Sequence, residues 1–322
     1  MLHQNFQSPL NVEPLQITII GFGNVGRQLL ALLLEEQFRP FHINIIDPSP
    51  KVKGSFYDLL PAGNLRKIHR IYLNNESHFN DADFIFYAAG SKVQKEENKS
   101  SILQRDVEDV QRYFKNYSPY KIPLIIVISR PVEVLCQAIK SISNLPWASI
   151  VGLGTLVDSL RLEYIIAQKL QKQQHMVKAW VLGEHGENLV PTFSHTLVDN
   201  QPATNFLSET ELEECVKETK NAINHIEETQ GESYFTEAKA AVFLLHAYSS
   251  LTQEVLPLTV YHPGRNIFVS LPVKICKKQI HKIADFELSQ TEQNQLDKAI
   301  KAISIKNENI FQKVEASLVA FE

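Results

Sequence analysis

The chain has 322 residues, 44% of them hydrophobic and 21% charged, with a formal net charge of −4. Such a length supports one large domain or two ordinary ones, and this charge balance lacks the basic footprint of a nucleic-acid-binding surface. The 3 cysteines, Cys136, Cys215 and Cys276, lie too far apart to suggest a metal cluster or a disulfide framework, and the apolar runs are too short to span a bilayer.

Residues 1–14 contain no basic segment leading into an apolar one, so they read as a loose N-terminal arm and not a secretion signal; the expected location is the cytoplasm. Short apolar runs then alternate with helical stretches. ITII (Ile17–Ile20) precedes a helix from Val25 to about Gln37; INIID (Ile43–Asp47), IHRIYL (Ile68–Leu73) and FIFYAA (Phe84–Ala89) read as strands. A helix over Ser101–Tyr117 leads to LIIVIS (Leu124–Ser129), and one over Val132–Ser143 leads to SIVGLG (Ser149–Gly154). Strands this uniformly apolar are buried on both faces, which predicts a six-stranded parallel sheet between helices, a doubly wound α/β fold.

The second half changes character. A helix starts near Thr155, MVKAWVL and a short piece after it flank a GEHG loop, and long helices cover Ser208–Thr229 and Glu237–Leu251. LTVYH and NIFVSLPVKI read as strands, and Thr291–Leu318 as a closing amphipathic helix. The expectation is a dinucleotide-binding domain over 1–150 and a second α+β substrate domain over 151–322, packed on the first across a cleft.

Gly21, Gly23 and Gly26 form a GxGxxG, with Asn24 and Val25 between the last two. Alone that motif is weak. Here it follows an apolar strand and opens a helix in the first βαβ unit, the context in which a glycine loop and a helix N-terminus cradle a pyrophosphate. Asp47 ends the next strand, where an acid accepts hydrogen bonds from ribose hydroxyls and repels a 2′-phosphate; no arginine follows it directly, which favours NAD over NADP. The other reading is a glycine turn without a ligand.

Asp158 and Arg161 share one helix face at i, i+3 spacing, and by themselves read as a surface ion pair. With His185 in the GEHG loop they suggest chemistry: a carboxylate orients an imidazole, and an arginine fork grips a substrate carboxylate.

From Gln16 to the C-terminal helix the chain resembles the L-lactate/malate dehydrogenase superfamily. GFGNVG with Asp47 matches the cofactor motif, GSFYDLLPA resembles the segment after it, VGLGTLVDSLRLEYI resembles the stretch with the acid partner and the carboxylate-binding arginine, and GEHGE resembles the catalytic histidine loop. The family's usual last acid in that loop is aspartate; here it is Glu187. The resemblance implies NAD-dependent hydride transfer to or from a small 2-oxo or L-2-hydroxy acid, with His185 exchanging the hydroxyl proton, Asp158 orienting it and Arg161 holding the substrate carboxylate. It also implies that Ala89, Gly90 and Ser129 join Gly21–Gly26 and Asp47 around the cofactor, and that the protein forms a homodimer or homotetramer.

Three positions depart from the family pattern. The loop after the fourth strand reads AGSKVQKEENKSSIL, with Lys99 where an arginine is expected, a change that loses the planar fork. Ser129-Arg130-Pro131 replaces a Ser-Asn-Pro turn, putting a permanent cation near His185 and Arg161, where it lowers the imidazole's pKa. Phe235 stands where a threonine is usual, with Thr236 one residue on. Two readings compete: Arg130 takes over polarisation of the carbonyl and the site is active, or the site has drifted to a non-catalytic or weakly active NAD-binding relative. The loop position that separates lactate from malate enzymes aligns with Val93, which implies an apolar side chain on the substrate. No GxSxG nucleophile elbow and no metal-like histidine spacing is present.

Overall fold

In the computed structural model the described residues are 13–36, 39–64, 68–91, 98–186, 188–276, 278–282 and 286–319. Strand and helix alternate through the first half: β1 (Leu15–Ile20), α1 (Asn24–Leu34), β2 (Phe41–Ile46), α2 (Val52–Asn64), β3 (Arg70–Leu73), α3 (Glu76–Asn80), β4 (Phe84–Tyr87), α4 (Lys99–Phe114), β5 (Leu124–Val127), α5 (Val132–Ile142), β6 (Ile150–Gly152) and α6 (Leu156–Lys169). The period of two in the strands explains why they are apolar throughout. Phe84 and Phe86 enter the core layer that holds Leu29, Leu30 and Leu33 of α1, while Ile85 and Tyr87 enter the opposite layer with Val107 and Val110 of α4 and Leu135 of α5. Each buried leucine of α1 contributes about 1.5–3 kcal/mol relative to an exposed one.

Strands β1–β6 pair in parallel in the order β3-β2-β1-β4-β5-β6. The order reverses between β1 and β4, so a crevice opens beyond the carboxyl ends of those two strands, the ligand position of a doubly wound sheet.

The second half contributes β7 (Val177–Lys178), β8 (Val181–Gly183), β9 (Leu189–Pro191), β10 (Leu197–Val198), β11 (Gln201–Pro202), α7 (Glu209–Gln230), α8 (Phe235–Ser249), β12 (Glu254–His262), β13 (Ile267–Cys276), β14 (Gln279–Lys282) and α9 (Gln290–Val319). Antiparallel strands of the second half extend the sheet beyond its six parallel strands. β12 joins β6 antiparallel through Thr259 and Gly152, β13, β8 and β9 follow, and β14 pairs with β13, giving one 11-stranded sheet. The MVKAWVL run divides: β7 belongs to a 3-stranded sheet with β10 and β11, and β8 to the large one.

Helices of the second half also cover the first. Ala238, Ala241 and Leu245 of α8 share a core with α1, and Ile310 of α9 enters the core of α4 and α5. Higher on α9, Leu296, Ala299 and Ile303 pack against Leu182 and Val190, which fixes the β8–β9 hairpin and the GEHG loop at its tip. No helix among the described residues is long and apolar enough to cross a membrane.

Candidate active site

The glycine loop turns at the carboxyl end of β1. Gly21 has φ +90°, and a Cβ there would lie 2.5 Å from the backbone of Ala89, just past β4. At Gly26 a Cβ would lie 2.2 Å from the Gly21 carbonyl oxygen, so only glycine lets α1 pack onto the turn. Gly23 differs: a Cβ there meets nothing among the described residues within 4 Å, and the residue caps α1 with no side-chain partner. An open, glycine-walled space against a helix N-terminus suits a pyrophosphate. Asp47 closes the loop from below: Phe22 N donates to Oδ2 and Ser49 N to Oδ1, both at 2.8 Å. Each carboxylate oxygen keeps a lone pair for a ribose hydroxyl. Asn24 is exposed and donates to Glu232 at 2.7 Å, while Val25 packs on the core. Ser129 N donates to the Tyr87 carbonyl at 3.2 Å, bringing the end of β5 beside Ala89 and Gly90.

Asp158 sits in the first turn of α6, fully buried, where the positive end of the helix favours a carboxylate. His185 Nδ1 lies 2.6 Å from its Oδ2, although 27 residues separate the two in the chain. The other face of the loop rests on a residue that sequence reasoning passed over. His185 N donates to Glu133 Oε1 at 3.2 Å, and the Thr259 hydroxyl donates to the same oxygen at 3.4 Å. Burial pushes the Glu133 carboxyl up to about 7, only partly offset by its own backbone amide and by His185. Burial also works against a charged His185, but Asp158, by attraction and hydrogen bond, and Glu133 outweigh it. The imidazole's pKa is therefore raised, Arg130 opposing weakly. Glu184, the acid before His185, is structural: Lys306 of α9 donates to it at 2.6 Å and Asn188 also donates to it.

Arg161 lies on the same helix face as Asp158, with Nη1 3.8 Å from Asp158 Oδ1. Its Nη2 donates to Ser233 Oγ at 2.7 Å and to Glu237 Oε1 at 3.0 Å. From the segment before and at the start of α8, then, Ser233 and Glu237 reach Arg161, whereas Phe235 is 56% exposed and leans on Tyr234. Arg130 follows β5 and pairs with Glu227 of α7 at 2.7 Å, with the two side chains 37% and 44% exposed. Lys99 is the first residue of α4, whose N-cap Asn98 accepts from Ser101 N at 2.8 Å; the Lys99 side chain, Val93 and Glu187 lie outside what the structure describes.

The site thus gathers the ends of β1, β4 and β5, the start of α6 and the β8–β9 loop around one crevice. Residues 15–152 match the family model described as lactate/malate dehydrogenase, NAD binding domain, and residues 155–314 match that of the lactate/malate dehydrogenase, alpha/beta C-terminal domain. A malate dehydrogenase of Chlorobium luteolum is 27% identical over 311 residues, covering 92% of this chain and 98% of its own. A probable L-lactate dehydrogenase of Schizosaccharomyces pombe is 29% identical over 312 residues, covering 92% and 94%. Among solved structures, malate dehydrogenase from Aeropyrum pernix has a TM-score of 0.82 at 26% identity, covering 91% of this chain and 97% of its own. A minor L-lactate dehydrogenase from Enterococcus mundtii reaches 0.85 at 22% identity, covering 92% and 98%, and supports the fold.

Proposed function

This chain belongs to the lactate/malate dehydrogenase family, oxidoreductases that use NAD, and we propose that it reduces a small 2-oxo acid with an apolar side chain to the L-2-hydroxy acid. The observation that carries the reading is the 2.6 Å contact between His185 Nδ1 and Asp158. With Nδ1–H donating to the carboxylate, the proton stays on the ring nitrogen and Nε2 is left to exchange a proton with the substrate oxygen.

Gly21, Gly23 and Gly26 with the α1 N-terminus would hold the pyrophosphate, Asp47 the ribose, and Ala89, Gly90 and Ser129 the remaining wall, with Asn24 and Val25 completing the loop. When bound, NADH supplies the hydride to the carbonyl carbon. Protonated His185 gives its Nε2 proton to the carbonyl oxygen and becomes neutral, still bonded to Asp158; in the oxidative direction neutral Nε2 takes that proton back. Attraction and a hydrogen bond to Asp158, with attraction to Glu133, stabilise the protonated state against the effect of burial. Arg161 is assigned to the substrate carboxylate, and Arg130 and Lys99 to polarising the substrate oxygen. The Arg130–Glu227 pair is exposed, so breaking it costs only about 0–1 kcal/mol, and Arg130 is free to turn inward.

The apolar preference rests on Val93, which offers neither charge nor hydrogen bond to a distal group. Rates with NADH and pyruvate, 2-oxoisocaproate, phenylpyruvate or oxaloacetate test it: an apolar acid should be the best substrate, and oxaloacetate as the best would overturn it. One observation favours a second reading, an NAD-binding relative with little turnover: Arg161 is already engaged by a carboxylate of its own chain. Such a protein would be stabilised by NADH in a thermal-shift assay yet oxidise no NADH with any of the four acids. We also propose a homodimer or homotetramer, supported by the exposed Tyr164 on α6 and Phe243 on α8; light scattering on the eluted protein tests it.

A further inference from the structure

The reading above gives Arg161 a substrate carboxylate to hold, and the fold already gives it one. Glu237 lies in the first turn of α8 and Ser233 just before that helix. Arg161 Nη2 donates to both; the Ser233 hydroxyl in turn donates to Glu237 Oε2 at 2.7 Å, closing a three-membered ring of contacts. The Arg161 and Glu237 side chains are only 10% and 11% exposed, so this pair, unlike Arg130 with Glu227, is shielded from water and little screened. On the far side of the guanidinium, Asp158 Oδ1 is buried and has no hydrogen-bond partner among the described residues.

We propose that Glu237 is an internal occupant of the Arg161 clamp, standing where a 2-oxo acid must place its carboxylate, and that it has to leave before such a substrate binds. The proposal rests on Arg161 being the carboxylate clamp. Its physical basis is charge counting at one fork. Arg161 is flanked by Asp158 and Glu237; a third carboxylate brought to the same guanidinium would face two negative charges at short range in a site largely shielded from water, an arrangement strongly disfavoured. Glu237 is held at its far oxygen by Ser233 alone among the hydrogen bonds to that atom that the structure shows, so turning it away breaks two contacts and leaves the fork whole. Glu237 therefore sets affinity rather than selectivity: it weakens every anionic 2-oxo acid alike and sets a high concentration threshold for substrate.

The test is binding, separate from turnover. Oxamate, a two-carbon carboxylate carrying an amide in place of the reacting group, is titrated into the NADH-loaded protein and followed by calorimetry and by quenching of NADH fluorescence. Wild type should bind weakly. Glu237→Gln, which keeps the shape and removes the charge, should tighten oxamate by about tenfold or more, and Glu237→Ala should act in the same direction. If either variant folds poorly, Ser233→Ala offers a milder release and should tighten binding by less. Arg161→Gln should abolish binding and, added to Glu237→Gln, erase the gain. Equal oxamate affinity in wild type and the Glu237 variants would overturn the proposal while leaving the clamp in place. Undiminished affinity in Arg161→Gln would remove the clamp reading itself, and the proposal with it.

Discussion

The two halves of this site are made of different materials. The proposed cofactor cradle is backbone: a left-handed Gly21, a Gly26 with no room for a side chain, an open Gly23 and a helix end. The proposed substrate pocket is side chain, and in the structure its charges already have partners: His185 on Asp158, Arg161 on Glu237 and Ser233, Arg130 on Glu227. A cradle of amides admits few substitutions, because its geometry depends on residues having no side chain. A pocket of charges can be rewired one residue at a time, provided each buried charge keeps a counter-charge. That is how Ser129-Arg130-Pro131 fits into a fold whose cradle resembles the family pattern.

The contrast is broken most severely by removing the acid behind the imidazole. Asp158→Asn should lower turnover by roughly 10³–10⁴-fold, as the loss of an orienting carboxylate does elsewhere, with NADH binding kept. The pH profile should move too. Because the folded pKa of His185 is raised, the protonated form needed for reduction persists above the ordinary range, and the rate falls only as pH passes that raised value. In Asp158→Asn the fall in kcat/KM should come at lower pH.

Arg130→Ala should lower turnover by about 10²–10³-fold if the arginine polarises the carbonyl in the transition state, whereas Glu227→Gln should change little. Unchanged turnover in Arg130→Ala would leave Arg130 as a surface partner of Glu227. Lys99→Arg should have a small effect alongside a working Arg130 and raise the rate of a drifted site.

Within the cradle, Gly23→Ala should weaken NADH by about tenfold or more, since the new methyl enters space only the pyrophosphate needs, while the melting temperature holds. Gly26→Ala should lower the melting temperature itself, its Cβ meeting the Gly21 carbonyl at 2.2 Å.

The mildest test falls on Glu133. Its folded pKa, about 7, lies above its unfolded value, so the folded state binds that proton more tightly. The stability this contributes is whole below the unfolded value near 4.3–4.5 and is lost as pH rises through 7. Glu133→Gln should therefore raise the melting temperature at pH 8.5, by about 2–4 °C per kcal/mol, and leave it nearly unchanged at about pH 4.

The same division explains what the residue pattern discloses. Apolar runs of period two and the glycine spacing are local, so β1–β6, α1, α4 and α5 can be read directly. Helix α2 hides behind Gly54 and Pro61, which look like breakers; the helix runs through both, although Pro61 inside it removes a backbone donor. The extension of the sheet rests on Thr259 meeting Gly152, more than a hundred residues away, a pairing no local pattern carries. Asp158, Arg161 and His185 are visible through their spacing and setting. Glu133 left a faint signal, an acid at the first turn of a helix directly after the Arg130–Pro131 turn. Glu227 and Glu237 left none: Glu227 is one of many acids along α7, Glu237 is the lone acid of α8, and each is selected only by the arginine it meets in the fold.

The proton relay is tested most directly by following the ring nitrogens of His185 by nitrogen-15 NMR through a pH titration of the wild type and of Asp158→Asn. The imidazole should titrate above the ordinary value of about 6.5, with Nδ1 protonated throughout, and the asparagine variant should bring that value down. A ring that titrates at or below the ordinary value, and does so identically in both proteins, would contradict the account.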